Sequence, residues 1–301
     1  MSYSAHSHAQ DPRNDAILID INGELVPRNE ARVSVFDSAF MLGDGIWEGL
    51  RVYRGRIAFL DRHLDRLYAA AKALDFDIGL DRTALSKRLY GTLAANEMTD
   101  GVHIRLMVSR GTKSTPYQDP RVTIGPATVV IIAEYKTPTV EAEQHALALF
   151  TVHVRRGYAD VQDPGLNTHS KLNCIFACIQ ATKAGADEAL MLDPHGFVAT
   201  CNSTHFFIVR DGELWTSTGD YCLDGITRGV VIELAEQHGY RVQQRNFTVA
   251  DVYAADEAFV TGTFAGLVPV ASVDGRVIGA GERPLMTALQ GHYAAAARGS
   301  A

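Results

Sequence analysis

In LNTHSKLNCIFACIQATKA, residues 166–184, a single internal lysine stands between a run of small polar residues and a strongly apolar segment. The chain carries 28 basic residues, and all but Lys72, Lys87, Lys113, Lys136, Lys171 and Lys183 are arginine. Lys72, Lys87 and Lys183 fall in polar-faced helical segments, and Lys113 and Lys136 in loops with Gly, Pro, Ser and Thr around them. Lys171 alone directly precedes an apolar segment, 172–179, whose composition predicts a buried helix. An amine held beside buried apolar surface loses solvation of its charged form, so its pKa falls and it becomes a usable nucleophile or base. The same position also suits a snorkelling lysine, stem on the core and amine in water. Residues elsewhere in the chain decide between the two.

The 301 residues suggest two domains, each large enough for a proper core. With 47% hydrophobic and 21% charged residues and a formal charge of -7, the composition is that of a globular protein without a nucleic-acid surface. No apolar run approaches the length of a membrane span. The first residues lack the basic start and apolar middle of a signal peptide, so a cytoplasmic protein is expected, with residues 1–15 as a disordered tail. Cys174, Cys178, Cys201 and Cys222 lack metal-type spacing and read as free buried thiols, and no metal site is expected.

Four dipeptides, Asn22-Gly23, Arg54-Gly55, Asp211-Gly212 and Asp274-Gly275, lie between short alternating runs and predict tight hairpins in both halves of the chain. Helical periodicity predicts helices over 60–74 and 82–96, followed by a strand over 102–109 and a buried strand over 127–134. The segment 136–145, opening KTPTVEAEQ, breaks the pattern and reads as a linker. It separates a small α+β domain, 16–135, from a larger domain, 146–301. In the latter, strands are expected over 147–154, 188–192, 197–216 and 257–261, and helices over 229–238 and 284–297. The class is α/β.

Two turns in the second half have the form of an anion site. Ile226 and Thr227 place backbone N–H groups and a hydroxyl at a helix start, where the dipole favours phosphate, and Gly262-Thr263 offers the same at a tight turn. A lysine flanked by apolar sequence together with two such turns suggests pyridoxal phosphate, anchored by its phosphate and joined to the amine through its aldehyde.

The stretches GDGIWEGLRVY, HLDRL, SKLN, ADEALMLDPHGFV, LDGITRGVVIELA and DEAFVTGTFAGLVPV then give the chain a resemblance to a known family. From about Ile17 to about Ile278 it resembles the class IV, fold type IV pyridoxal-phosphate aminotransferases. These include branched-chain and D-amino acid aminotransferases, R-selective amine transaminases and aminodeoxychorismate lyase. The resemblance implies an α+β domain followed by a barrel-like domain with the cofactor between them, and a homodimer. It makes Lys171 the Schiff-base lysine, and it makes Arg66, Ile226, Thr227 and Thr263 the phosphate ligands. Trp47 would line the substrate pocket and Arg105 recognise a carboxylate, helped by the main chain around Thr263, Phe264 and Ala265.

The chain also departs from the family. Thr200, in VATCNSTHFF, stands where a glutamate pairs with the pyridine nitrogen, and a hydroxyl supports the protonated ring less well than a carboxylate. His103 and Leu42 replace pocket tyrosines of the branched-chain enzymes. Thr115 and Tyr117 stand where D-amino acid enzymes trap a carboxylate. The resemblance implies amino transfer from a hydrophobic, branched-chain type of amino acid to a 2-oxo acid such as 2-oxoglutarate. A lyase of the aminodeoxychorismate type, a D-amino acid or R-amine transaminase, and a catalytically quiet cofactor-binding relative stay open.

Overall fold

A computed structural model describes residues 4–139 and 145–299. The chain divides into two compact units, one comprising Ala9–Thr137 with Asn167–Ser170 and the other Met1–His8, Pro138–Leu166 and Lys171–Ala301.

In the first unit β1 (Leu18–Ile21) and β2 (Glu24–Pro27) form the expected hairpin, with Asn22 at φ 55° and Gly23 at φ 93°. Positive φ at both central residues matches the twist of the flanking strands, and all four predicted dipeptides adopt it. There follow α1 (Ser38–Leu42), β3 (Gly45–Tyr53), β4 (Arg56–Ile57), α2 (Leu60–Ala73), α3 (Arg82–Ala95), β5 (Val102–Ser109) and β6 (Thr128–Tyr135). The strands make an antiparallel sheet in the order β2-β1-β6-β5-β3-β4. One face is covered by α2, which packs on β3, and by α3, which packs on β1 and β6. Leu64 and Leu67 of α2 and Leu85 and Leu89 of α3 are buried, as are Leu50, Ile104, Leu106 and Ile131 of the sheet. The strand expected to be buried throughout at 127–134 is therefore buried only at alternate residues, Ala127, Val129, Ile131 and Ala133. Only one of its two faces meets helices.

The second unit contains β7 (Leu147–Thr151), α4 (Ala159–Gln162), α5 (Leu172–Lys183), β8 (Glu188–Leu192), β9 (Val198–Cys201), β10 (His205–Arg210) and β11 (Glu213–Thr216). After these come α6 (Ile226–Gln237), β12 (Val242–Gln244), α7 (Val249–Tyr253), β13 (Glu257–Gly262), β14 (Gly266–Val273), β15 (Arg276–Val277) and α8 (Pro284–Arg298). The sheet runs β12-β11-β10-β13-β14-β7-β8-β9, with β15 beside β14. Its far strand β9 turns straight back into β10, the Cys201 amide donating to the Thr204 carbonyl, so the sheet curls on itself as a barrel-like domain requires. Phe206, Ile208, Val260, Val268 and Val270 fill one side. On the other, α6 and α8 pack on β13, and the amides of Leu285 and Met286 donate to the buried Glu257 carboxylate at 3.0 and 2.9 Å.

Several expectations need correction. The described part of the 1–15 tail is ordered: Ala5 joins the core of the second unit, the rings of His6 and His8 lie 6.0 and 6.1 Å from that of Phe264, and Pro12–Ala16 forms a 3₁₀ turn capped by Asp11. Aromatic contacts between residues so distant in sequence leave no mark on local composition. The chain changes unit at 137–138, inside the expected linker, whose residues 140–144 lie outside the described ones. Helix α5 does not bury its apolar face, because Leu172, Ile175, Phe176 and Ile179 are 66, 48, 54 and 44% exposed and the helix meets its own unit through Ala177 and Ala181. The cysteines are all free, but Cys178 is exposed and Cys174 half-buried. Lys113, assigned to an ordinary loop, is 1% exposed, with Nζ donating to the Asp119 carbonyl at 3.1 Å.

Candidate active site

In the first unit the alternation of β3 separates two sets of functional side chains. Trp47, Gly49 and Arg51 share the face that the helices leave uncovered, opposite Met107, Arg105 and His103 of β5. The Arg105 guanidinium lies 3.7 Å over the Trp47 ring, a cation–π contact that fixes both groups. Burial pushes the Arg105 pKa down while Glu134 and Glu48 oppose it, and an arginine so placed keeps its charge. A Cβ at Gly49 would come within 3.1 Å of His103 Nε2, so glycine is what lets the histidine and the indole lie against this strand. Residues 167–170 extend the sheet here. The Trp47 amide donates to the Asn167 carbonyl at 3.0 Å, Asn167 Nδ2 donates to the Trp47 carbonyl at 2.6 Å, and Trp47 Nε1 donates to the Thr168 carbonyl at 3.1 Å. The predicted residues Trp47, His103 and Arg105 are thus brought together.

Arg66 is placed differently. It projects from α2 to the helix-covered side, where its Nε and Nη2 donate to the two oxygens of Glu48 at 2.9 and 2.7 Å. His63 Nδ1 meets the same carboxylate at 2.7 Å. Glu48 and His63 are each 1% exposed. Burial alone would raise the Glu48 pKa, but the bonds from His63 and Arg66 outweigh it and hold the carboxyl below its ordinary value.

In the second unit Lys171 occupies the N-cap of α5 with a half-buried side chain. The apolar side chains that follow it on that helix are exposed rather than buried. Ile226 and Thr227 open α6 after Gly225, and no side chain caps the helix. Gly225 is required there, since a Cβ would collide with the ring of His205. His205 Nε2 in turn donates to the Leu223 carbonyl at 2.7 Å and pins the approach to the helix. Thr227 Oγ1 is buried, 3.2 Å from the hydroxyl of Tyr293 on α8. Thr263, Phe264 and Ala265 form the turn from β13 to β14, with the Phe264 side chain buried. Just before this turn the Thr261 hydroxyl is fully enclosed and has no partner.

Thr200, on β9, is buried and donates through Oγ1 to the Thr204 carbonyl at 2.8 Å. Thr204 Oγ1 and Ser203 Oγ donate to Glu188 Oε1 at 2.8 and 2.7 Å, while Glu188 Oε2 is enclosed without a partner. Burial, only partly offset by the bonds from Ser203 and Thr204, pushes the Glu188 carboxyl up. Sequence reasoning assigned no role to Glu48, His63, Glu188, His205 or Tyr293. The available signal was an acid inside an apolar strand, in WEGL and again in DEALML, because such an acid must have a polar partner.

The family model described as amino-transferase class IV matches residues 45–273. A putative branched-chain-amino-acid aminotransferase of Methanocaldococcus jannaschii is 42% identical over 261 residues, 86% of this chain and 89% of that protein. Branched-chain-amino-acid aminotransferase-like protein 2 of Arabidopsis thaliana is 39% identical over 283 residues, 94% of this chain but 50% of that protein, so the chain spans about half the length of that relative. Among solved structures, the branched-chain amino acid aminotransferase of Thermobaculum terrenum in its PLP-form has a TM-score of 0.84 at 26% identity, covering 96% of each chain. The motifs, the sheet that curls back on itself and these matches agree: the chain belongs to the class IV aminotransferases, of fold type IV.

Proposed function

We propose that the chain is a pyridoxal-phosphate-dependent aminotransferase that moves an amino group between a hydrophobic, branched-chain type of amino acid and a 2-oxo acid such as 2-oxoglutarate. The observation that carries this reading is Arg105 fixed over Trp47 beside Gly49, a positive charge next to a flat apolar ring on an uncovered sheet face. An amino acid with a carboxylate and an apolar side chain asks for that pairing. The residues present also fit the cofactor: α6 begins without a side-chain cap, and the buried Thr261 hydroxyl has no partner beside the Gly262-Thr263 turn.

Pyridoxal phosphate, when bound, supplies an aldehyde that exchanges amino groups and a ring that accepts electrons. Arg66, the amides of Ile226 and Thr227, and Thr263 would hold its phosphate. Lys171 would be the amine that holds the aldehyde, and once the substrate amine has displaced it, its free Nζ would move the proton from the substrate alpha carbon to the former aldehyde carbon. Arg105 would bind the substrate carboxylate and Trp47 flank its side chain, with His103 and the turn residues Phe264 and Ala265 completing the pocket. The Thr200 hydroxyl already gives its hydrogen to Thr204, so toward a ring nitrogen it can only accept. A nitrogen bonded to it must bring its own proton, and a neutral acceptor holds that proton less firmly than a carboxylate. The protein would work in the cytoplasm as a homodimer, and the exposed apolar stripe of α5 supports pairing with a second copy.

One observation favours a second reading, cofactor binding without turnover: Thr200 is a neutral hydroxyl already committed to the Thr204 carbonyl, where a carboxylate would hold a pyridine proton more firmly. Borohydride reduction of the cofactor-loaded protein, followed by peptide mapping, separates the two. Label on Lys171, lost in Lys171→Ala, together with loss of the cofactor absorbance on adding L-leucine, L-valine, D-amino acids or chiral amines one at a time, is the expected result. Bound cofactor with no label on that peptide and no response to any donor would overturn the aminotransferase reading.

A further inference from the structure

Helix α6 starts at Gly225, and its backbone there does not ask for glycine: φ is -75° and ψ 123°, an extended conformation that any residue adopts. A neighbour asks for it instead. A Cβ at Gly225 would lie 2.3 Å from Cε1, 2.7 Å from Nδ1 and 2.9 Å from Nε2 of His205, closer than a Cβ approaches a ring. The ring has little room to step aside, because it is buried and its Nε2 donates to the Leu223 carbonyl at 2.7 Å. A carbonyl only accepts, so Nε2 carries the hydrogen. Serine, threonine, aspartate and asparagine are the usual residues at a helix start, and each turns a side-chain oxygen onto the amides of the first turn. The His205 ring excludes them all, and α6 begins uncapped.

The register of the sheet puts the ring in this place. His205 of β10 stands opposite Thr261 of β13, so the two side chains leave the same face. Phe207 and Phe259 stack on that face at 5.1 Å, whereas Phe206, Ile208 and Val260 fill the core on the other. The Thr261 hydroxyl beside the ring is enclosed and has no partner, a second polar group whose needs the chain leaves unmet next to an uncapped helix. Leu223 is two residues ahead of Gly225. By holding the carbonyl of one and filling the space above the other, a single ring fixes the approach to the first turn of α6 at both ends.

We propose that His205 is a positioning residue for the cofactor phosphate: through the Leu223 carbonyl and the space above Gly225 it sets where the amides of Ile226 and Thr227 stand, and it keeps a side-chain cap off them. This rests on the reading of the start of α6 as the phosphate site. His205 acts through the main chain of 223–227, so its effect is confined to the phosphorylated end of the ligand. An anion that meets amides already in place does not lose affinity in ordering them.

The test titrates the full-length protein with pyridoxal phosphate and with pyridoxal, which lacks the phosphate, following cofactor absorbance and protein fluorescence. His205→Ala should weaken pyridoxal phosphate binding about fivefold, as expected for loss of one hydrogen bond, and leave pyridoxal binding unchanged. His205→Gln, whose amide can still donate to Leu223, should show a smaller effect of the same selectivity, and it serves as the test if His205→Ala fails to fold. Gly225→Ala, which drives a methyl into the ring, should weaken the phosphorylated ligand roughly tenfold in the parent and add no loss in the His205→Ala background. Equal weakening of both ligands, no weakening of either, or a full further loss from Gly225→Ala once the ring is gone would overturn the proposal. If Thr227→Ala loses its preference for the phosphorylated ligand while the His205 variants keep theirs, the positioning role alone falls. If Thr227→Ala itself keeps that preference, the start of α6 is not the phosphate site and the proposal falls with that reading.

Discussion

Glu48 and Glu188 are both enclosed carboxyls, yet their surroundings push them in opposite directions, which gives the pH dependence of stability two limbs. Glu48 is held below its ordinary pKa, so its contribution is present above the unfolded value and is lost as pH falls through the folded one. Glu188 is held above its ordinary pKa, so the folded state binds its proton more tightly than the unfolded state does. Its contribution is present below the unfolded value and is lost as pH rises through the folded one. Glu188→Gln removes that second limb. Thermal melts across the acid and neutral range should show the variant gaining on the parent as pH rises, while its acid limb, set in part by Glu48, is unchanged. A constant offset at every pH would mean that Glu188 does not titrate on unfolding. Neither limb follows from sequence alone, because an acid in an apolar strand announces that it has partners without naming them.

Among the elements, α8 depends most on a distant residue. It opens with Pro284, whose fixed φ and missing N–H suit a first turn, and the next two amides are met by Glu257 from β13 rather than by a neighbouring side chain. Glu257→Ala leaves both amides unmet in a buried place and should cost about 2 kcal/mol, read as a lower midpoint in urea, with the same substitution's effect falling away if α8 is already frayed. A midpoint unchanged within error would show that the cap contributes nothing. The hairpins need no such help. Asn22-Gly23 and its three counterparts carry their own positive-φ chemistry, which is why strands and turns were legible to within a residue or two. Helix α5 was legible as a helix but not as an exposed one. Its apolar stripe at 172, 175, 176 and 179 has the spacing of a core-facing surface, and local periodicity cannot say whether the covering surface belongs to the same chain.

At the scale of the whole molecule, that stripe is where a second copy is expected. A patch of large apolar side chains at helical spacing is a costly thing to leave in water, and closed two-fold pairing covers it on both copies at once. Phe176→Glu, at the middle of the stripe, should shift the protein from dimer to monomer in sedimentation equilibrium while leaving the secondary structure by circular dichroism intact. A dimer that survives the substitution would place the interface elsewhere.

The sequence by itself determined the family, the four tight turns and most of the longer strands and helices, because turn chemistry, period-two alternation and motif spacing are local properties of contiguous residues. Only the tertiary structure decided that Arg66 is gripped by Glu48 from another element and that α5 faces outward. Each of these depends on which distant group arrives at a given side chain. Burial and hydrogen bonding are settled between partners far apart in the chain, and no window of neighbouring residues contains both of them.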